Sequence, residues 1–273
     1  MRTATSKDGT SIAFDQFGSG PALVLVGGAL EQRALDTATA QLAALPVLAE
    51  HFTVYHYDRR GRGASGDSPT YALQREIEDI AALIDDAGGS AYVFGISSGA
   101  ALALEAALAL GAQVQKLALY EVPYNDDAAA RQAWVNYRKK LAALTADGRN
   151  GDAVILFMML VGMPAEHAAG VRELPMWRMF EAVGHTLAYD AAALGEEAAV
   201  PTARVAALTT PVLVMDGSAS FPFMHRSGVA LAEALPHGRQ LTLAGQTHEV
   251  AAEALAPVLI DFFNANADKR KEH

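Results

Sequence analysis

The feature that most constrains the fold is the alternation of short apolar segments with longer helical patterns. Each segment is almost continuously apolar, as expected of a strand that is buried on both faces. The segments are 22–27, 52–58, 91–97, 116–121, 211–217 and 239–245. Helical patterns follow at 72–87, 98–111 and 249–263, among others. This alternation predicts an α/β fold with a mostly parallel central sheet and helices on both of its faces.

The interval 124–207 differs from the rest of the chain. It contains no good strand candidate but several helical segments, which are interrupted by glycines and prolines. Ligands of parallel sheets bind above the carboxyl ends of the strands. We therefore expect 124–207 to form a helical lid, inserted into a core domain that comprises 1–123 and 208–273.

Charge and cysteine content exclude several functions. The 273 residues include 21 Lys and Arg against 31 Asp and Glu, which gives a formal net charge of −10. Such a surface repels phosphate backbones, so nucleic acid is not an expected partner. The short basic segment 267–273 is predicted to be a solvated tail. The absence of cysteine excludes disulfides, thiolate metal sites and a Cys nucleophile.

The sequence also predicts a cytoplasmic protein that does not enter a membrane. Its first 20 residues are polar and lack the apolar core of a signal peptide. The segment "AALALEAALALGA" is apolar, but it is too short to cross a bilayer and is interrupted by Glu105. The sequence leaves open whether the chain forms a homo-oligomer.

Two serines lie at the joint between the predicted strand 91–97 and the following helix. The joint reads Gly95-Ile96-Ser97-Ser98-Gly99, which fits the G-x-S-x-G pattern of a nucleophile elbow. The glycines leave room for a sharp turn, and the start of the helix favours developing negative charge. The central Ser97 is the predicted nucleophile, and Ser98 contributes its backbone N–H. The alternative is that both serines only cap the helix.

A serine becomes an effective nucleophile when a base, itself held by an acid, removes its proton. In an elbow of this kind the histidine follows the last strand of the sheet. The segment "GQTH" places His248 between the strand 239–245 and the next helix, so His248 is the predicted base. The other histidines are interpreted as ordinary surface or core residues: His51, His56, His167, His185, His225, His237 and His273.

Four segments in this order resemble the α/β-hydrolase family: "GSGPALVLVGGAL", "YHYDRRGRGASGD", "VFGISSGA" and "GQTH". The resemblance covers nearly the whole chain and implies an α/β-hydrolase fold with a catalytic triad. In that family the acid of the triad most often lies three residues beyond the glycine that ends the next-to-last strand. This position is Ser220 here, so the usual acid is missing.

Two other carboxylates are candidates for the acid. Asp216 directly precedes the glycine of the next-to-last strand, and Glu121 ends the strand after the nucleophile's helix. Adjacent strands lie about 5 Å apart, so a carboxylate at the end of that strand can reach the imidazole. Glu121 is preferred, Asp216 is second, and a site without an acid is third. An N-cap or a salt bridge to the lid is the alternative role for Glu121.

The position of Glu121 has a parallel within the family. Haloalkane dehalogenases and zearalenone-type lactone hydrolases have their acid after this strand. The segment "GISSGA" and the spacing of 24 residues from Ser97 to Glu121 are also similar to the lactone hydrolases. In the placement of its acid, the chain therefore most resembles zearalenone-type lactone hydrolases.

An oxyanion hole needs a second backbone N–H, from the loop after the first long strand. The resemblance places this donor at Ala29, in "LVLVGGAL". The family commonly has His-Gly before the donor, whereas this chain has Gly27-Gly28. A plain turn between strand and helix is the alternative.

The remaining motifs do not indicate a cofactor or a metal. Gly61-x-Gly63-x-x-Gly66 fits a dinucleotide fingerprint as a string, but the next helix begins only near Ala72. Such a loop does not open a helix toward a pyrophosphate. No spacing of His, Asp and Glu resembles a metal site.

The lid segment contains many soft apolar side chains, among them Met158, Met159, Met163, Met176 and Met179. Most of them should lie in the core of the lid, which would give the pocket an adaptable apolar roof. Trp177 is the side chain predicted to contact the substrate.

These patterns predict a serine hydrolase that cleaves a carboxylic ester or a lactone with an apolar body through an acyl-enzyme. Ser97 attacks the carbonyl, His248 transfers the proton, and Glu121 orients the imidazole. The amides of Ala29 and Ser98 bind the oxyanion. The alternatives are a small-molecule binding protein without activity (a pseudoenzyme) and a cofactor-free haloperoxidase-like activity at the same serine.

Overall fold

A computed structural model describes residues 1–34 and 40–265 of the chain, with the side chains of 40–42 left out. The segment 267–273, predicted to be a solvated tail, lies outside the described residues.

The described residues form an eight-stranded sheet with the order β1-β2-β4-β3-β5-β6-β7-β8. The strands are β1 Arg2–Thr5, β2 Ser11–Phe17, β3 Ala22–Val26, β4 Thr53–Tyr57, β5 Ala91–Ile96, β6 Val114–Tyr120, β7 Val212–Gly217 and β8 Gly238–Leu243. The pairs β1–β2 and β2–β4 are antiparallel, and all pairs from β4 to β8 are parallel. The prediction of a mostly parallel sheet is confirmed.

The α-helices of the described residues are α1 Ala40–Ala49, α2 Leu73–Asp86, α3 Ser98–Leu110, α4 Ala128–Ala146, α5 Asn150–Leu160, α6 Ala168–Val171, α7 Trp177–Val183, α8 Leu187–Ala193, α9 Thr202–Val205, α10 Pro222–Ala234 and α11 Ala252–Asn264. The α3 helix consists mainly of Ala and Leu and is buried along most of its length. It packs against β5 and β6 and holds the elbow between β5 and α3 in place.

The strands are continuously apolar because both faces of the sheet are covered. In β3, Val24 and Val26 belong to the core cluster that contains α3, whereas Leu23 and Leu25 belong to the cluster of the opposite face. That second cluster includes side chains from α1 and α11. Alternate residues of one strand thus contribute to two cores, as a doubly covered sheet requires.

The chain between β6 and β7 contains helices α4 to α9 and no strand. Side chains from α4, α5, α7 and α8 form a third apolar cluster, which also contains Leu30 from the loop after β3. The helical lid at 124–207 and the core domain at 1–123 and 208–273 stay predictions, and we use "lid" only as a name for the segment from α4 to α9. Within the described residues, no helix has both the length and the apolar character needed to cross a bilayer.

The glycine motif at 61–66 forms a tight loop after β4. Gly61 and Gly63 have φ values of 75° and 52°, and a Cβ on Gly63 would lie 2.3 Å from the Asp58 carboxylate. The next helix, α2, begins only at Leu73. The loop therefore does not open a helix N-terminus, as a dinucleotide site would require.

Candidate active site

Ser97 lies in a strained turn between β5 and α3. Its φ and ψ are 56° and −131°, which is costly for a residue with a Cβ, at about 1–3 kcal/mol. A Cβ on Gly95 would lie 2.6 Å from the Gly99 carbonyl oxygen, and one on Gly99 would lie 2.3 Å from that of Gly27. Only glycine fits two residues before and two residues after Ser97, which explains the G-x-S-x-G pattern physically.

Glu121 follows β6 and carries a buried carboxylate. It also has a positive φ, 48°, and its side chain is 0% exposed. The carboxylate accepts hydrogen bonds from the Gly217 amide and the Ser220 hydroxyl, each at 2.9 Å. The Oε2 atom of Glu121 lies 2.7 Å from Nδ1 of His248. Of the two carboxylates considered from the sequence, Glu121 is the one that contacts His248.

His248 lies in the loop between β8 and α11, and its side chain is 37% exposed. The loop is held from two sides: the Tyr120 hydroxyl donates to the Thr247 carbonyl at 2.5 Å, and the Ala219 amide donates to the Gln246 carbonyl at 2.8 Å. An Nδ1–H that donates to a carboxylate leaves Nε2 as the nitrogen that can accept a proton. The contact with Glu121 thus sets the tautomer that a general base requires.

Ser97 and His248 are positioned around the same strand end. The Ser97 amide donates to the Tyr120 carbonyl at 2.9 Å, and the Tyr120 hydroxyl holds the residue that precedes His248. In the described part of the chain, no hydrogen bond joins the Ser97 hydroxyl to His248. Catalytic hydrogen bonds are often long in the absence of substrate. The structure therefore brings together the histidine and the acid, and the nucleophilic role of Ser97 stays a prediction.

Asp216, the second candidate acid, belongs to a different polar cluster. Its buried carboxylate lies 3.1 Å from His225 Nδ1, and it accepts hydrogen bonds from Gln240 at 2.5 Å and from Thr242 at 3.1 Å. These partners lie on α10 and β8. Among the described residues, no hydrogen bond or ion pair joins Asp216 to His248.

Asp216→Asn is expected to cost stability rather than activity. Gln240 and Thr242 donate to Oδ1, and His225 lies beside Oδ2, whereas an amide keeps only one accepting oxygen and no charge. The free energy of unfolding should therefore fall by about 1–3 kcal/mol. Thermal unfolding and kcat, measured on the same preparation, check this prediction. A large loss of kcat with little change in Tm would instead favour Asp216 as the acid.

The two expected oxyanion donors lie close to Ser97. Ala29 is half-buried in the loop at residues 27–31, which we call the β3 loop, and Leu30 there has a φ of 62°. A Cβ on Gly28 would lie 3.2 Å from the Cβ of Ser97, so the β3 loop lies directly against the elbow. Ser98 is buried at the start of α3. Their roles as donors stay predictions.

Sequence reasoning missed two sets of residues near the site. Ser220 was recognised only as a missing acid, whereas its hydroxyl donates to Glu121. The buried residues Arg59, Arg62 and Asp190 form an ion-paired network beside the β3 loop. The run "DRRGRG" was the available signal, because buried arginines need acidic partners.

Trp177 is 6% exposed and belongs to the apolar cluster of the lid. The Arg172 guanidinium lies 5.0 Å from the centre of its ring. Contact with substrate stays a prediction for Trp177. The prediction that most of the lid methionines lie in its core is wrong: none of the five is buried, and Met159 and Met176 are 43% and 45% exposed. Met158 is partly buried and packs against the cluster.

Comparisons with known proteins agree with the fold described above. A model of the Alpha/beta hydrolase family matches residues 23–258. An alpha/beta hydrolase from Sphaerobacter thermophilus DSM 20745 is 49% identical over 96% of this chain and 100% of that chain, with a TM-score of 0.83.

Two further solved structures share the fold at lower identity. A thermophilic esterase from Thermogutta terrifontis is 21% identical over 96% of this chain and 97% of that chain, with a TM-score of 0.70. The enol-lactonase from Burkholderia xenovorans LB400 is 20% identical over 97% and 100% of the two chains, with a TM-score of 0.65. The family match spans most of the sequence, and the chain therefore belongs to the alpha/beta hydrolase family.

Proposed function

We propose that the chain is a serine hydrolase that cleaves a carboxylic ester or a lactone through an acyl-enzyme. The observation that carries the proposal is the contact of 2.7 Å between His248 Nδ1 and the buried Glu121 carboxylate. A histidine oriented by an acid beside an elbow serine is the arrangement that activates a hydroxyl for acyl transfer. The contact also supports Glu121 in place of the acid that is missing at Ser220.

The proposed reaction begins when Ser97 Oγ attacks the substrate carbonyl carbon and His248 Nε2 takes its proton. Glu121 stabilises the imidazolium that forms, and the amides of Ala29 and Ser98 bind the oxyanion. When the tetrahedral intermediate collapses, the C–O bond to the leaving alcohol breaks and His248 protonates that oxygen. A water molecule, deprotonated by His248, then attacks the acyl carbon. The bond from that carbon to Ser97 Oγ breaks, the proton on His248 returns to Oγ, and the carboxylic acid product leaves.

An apolar substrate body is supported by the side chains that adjoin the β3 loop. Ala29 packs against the apolar cluster of the lid, as do Ile155, Phe157 and Phe180. Met158 packs against the same cluster and offers a flexible, polarizable surface. A carbonyl bound at Ala29 would thus have apolar lid side chains nearby, as ligand pockets usually do.

Within this class, the position of the acid favours a lactone. Glu121 follows β6, as does the acid in the zearalenone-type lactone hydrolases that the sequence resembles. Structures with this fold include an esterase and an enol-lactonase. The fold is therefore compatible with hydrolysis of an ester or of a lactone. A lactone would open without releasing a separate alcohol.

The test is a substrate panel with the wild-type chain. We expect labelling by a fluorophosphonate probe and hydrolysis of members of a panel of p-nitrophenyl esters, small lactones and macrocyclic lactones. A Ser97→Ala preparation serves as the blank for contaminating esterases. A wild-type chain that is neither labelled nor active on any member would contradict the proposal and favour a binding protein. Faster turnover of lactones than of esters would support the lactone assignment.

A further inference from the structure

Two buried arginines connect the β3 loop to the lid. Nη1 of Arg62 donates to the Gly28 carbonyl at 2.5 Å, and Nη1 of Arg59 donates to the Gly27 carbonyl at 3.3 Å. Arg59 and Arg62 are only 2% and 1% exposed. The carbonyls of Gly27 and Gly28, the two residues before Ala29, are thus each bound by a buried guanidinium group.

Asp190 of α8 holds both arginines. Its Oδ2 accepts from Arg62 at 2.7 Å, and its Oδ1 accepts from Arg59 at 2.5 Å and from the Ser98 hydroxyl at 2.8 Å. Burial alone would raise the pKa of Asp190, but the charges of Arg62 and Arg59 hold this pKa below its usual value. The carboxylate therefore stays ionised and keeps its partners in place.

The contact with Gly28 determines where the Ala29 amide points. The Gly28 carbonyl and the Ala29 N–H belong to one planar peptide unit, and in a trans peptide they point in opposite directions. The described residues contain no cis peptide bond. A guanidinium that fixes the Gly28 carbonyl therefore also fixes the direction of the Ala29 N–H.

We infer that Arg62, held by Asp190 of the lid, is a positioning residue for the oxyanion hole. This inference rests on the proposed function. Asp190 is linked to both oxyanion donors: through Arg62 to the Ala29 amide, and directly to Ser98. An oxyanion hole accelerates the reaction only when its donors are oriented before the charge develops. Through the Asp190 carboxylate, the position of α8 thereby determines how the donors of the oxyanion hole are oriented.

The test compares the same substitution at two arginines of one loop. Arg62→Lys keeps the positive charge but loses the fork that spans the Gly28 carbonyl and Asp190. Arg60→Lys is the matched control, because Arg60 is also buried and forms a forked pair with Asp79, away from the β3 loop. A general loss of stability would appear in both variants as a lower Tm.

We expect Arg62→Lys to lower kcat by about 10- to 100-fold, part of the 10²–10³ that the loss of one donor costs. KM should change little, because the oxyanion forms only in the transition state. An oxygen ester should slow more than its thionoester, since sulfur is a weak hydrogen-bond acceptor. Arg60→Lys should keep both kcat and the ratio of the two rates.

An unchanged ratio of ester to thionoester rates in Arg62→Lys would overturn the inference, even if kcat fell. Should Arg62→Lys fail to fold, Thr186→Val replaces it. This change leaves Arg62 in place and replaces with a methyl group the hydroxyl that accepts from Arg62 Nε at 3.0 Å and donates to the Val183 carbonyl at 2.7 Å. In Thr186→Val the ratio of ester to thionoester rates should also fall, and an unchanged ratio would again contradict the inference. A wild-type chain without any hydrolysis would instead defeat the proposed function itself.

Discussion

Ser97→Ala is expected to abolish labelling by a fluorophosphonate probe and to lower kcat by on the order of 10⁶. The reason is chemical: the hydroxyl oxygen that would form the acyl-enzyme is removed. His248 and Glu121 would remain paired, because their contact does not involve Ser97. Intact-protein mass spectrometry after exposure to the probe, together with kcat on the best substrate, checks the prediction.

The loss can be separated from misfolding because alanine also has a Cβ at this strained position. The elbow, with a φ of 56°, would carry a similar backbone cost in both chains, so Tm should change little. Ser90→Ala is a suitable control, since Ser90 precedes β5 at the end opposite the elbow and bonds Gln115. This control should be labelled like the wild type. Labelling of Ser97→Ala at the same rate would defeat the assignment of the nucleophile.

The sheet and the elbow could be predicted because their signals are local. A strand buried on both faces must be apolar throughout, and β3 and β5 satisfy this rule. A Cβ on Gly95 would lie 2.6 Å from the Gly99 carbonyl oxygen, so the elbow excludes any side chain there. Each requirement falls on consecutive residues, so the sequence displays it directly.

The choice of acid needed three-dimensional information. Both Asp216 and Glu121 lie near strand ends, and the sequence left both open. The structure separates them by backbone direction: Asp216 is still within β7 and contacts α10 and β8, whereas Glu121 leaves β6 with a φ of 48°. A positive φ at a glutamate has no sequence signature, because the surrounding contacts impose it.

The arginine network was missed for a related reason. Arg62 is separated by 128 residues from Asp190, its lid partner. In the sequence, Asp190 follows "HTLAY" in a segment that shows only helical character. Only the packing of α8 on α3 brings this carboxylate beside Ser98. Contacts between side chains that are so far apart in the chain are therefore difficult to recognise in a single sequence.

Glu121→Gln is expected to lower kcat by about 10³–10⁴, the cost of removing the acid from a triad. A neutral amide cannot stabilise the imidazolium, and an NH₂ group facing Nδ1 would favour the wrong tautomer of His248. The kcat measured in the steady state and the rate of fluorophosphonate labelling should both fall. Asp216→Asn is the matched control, a buried carboxylate changed to its amide on the adjacent strand, and it should keep kcat.

Ser220→Asp, added to Glu121→Gln, should restore part of the lost activity. The Ser220 hydroxyl lies 2.9 Å from the same Glu121 oxygen that contacts His248, so a carboxylate at this position would approach the imidazole from the family's usual direction. We expect kcat to recover by about 10-fold or more relative to Glu121→Gln, since an acid again faces Nδ1. Ser220→Asn in the same background matches the change in size without the charge and should give no recovery. Equal kcat values of these two double variants would show that a negative charge beside Nδ1 of His248 does not raise the rate. The role proposed for Glu121 would then be wrong.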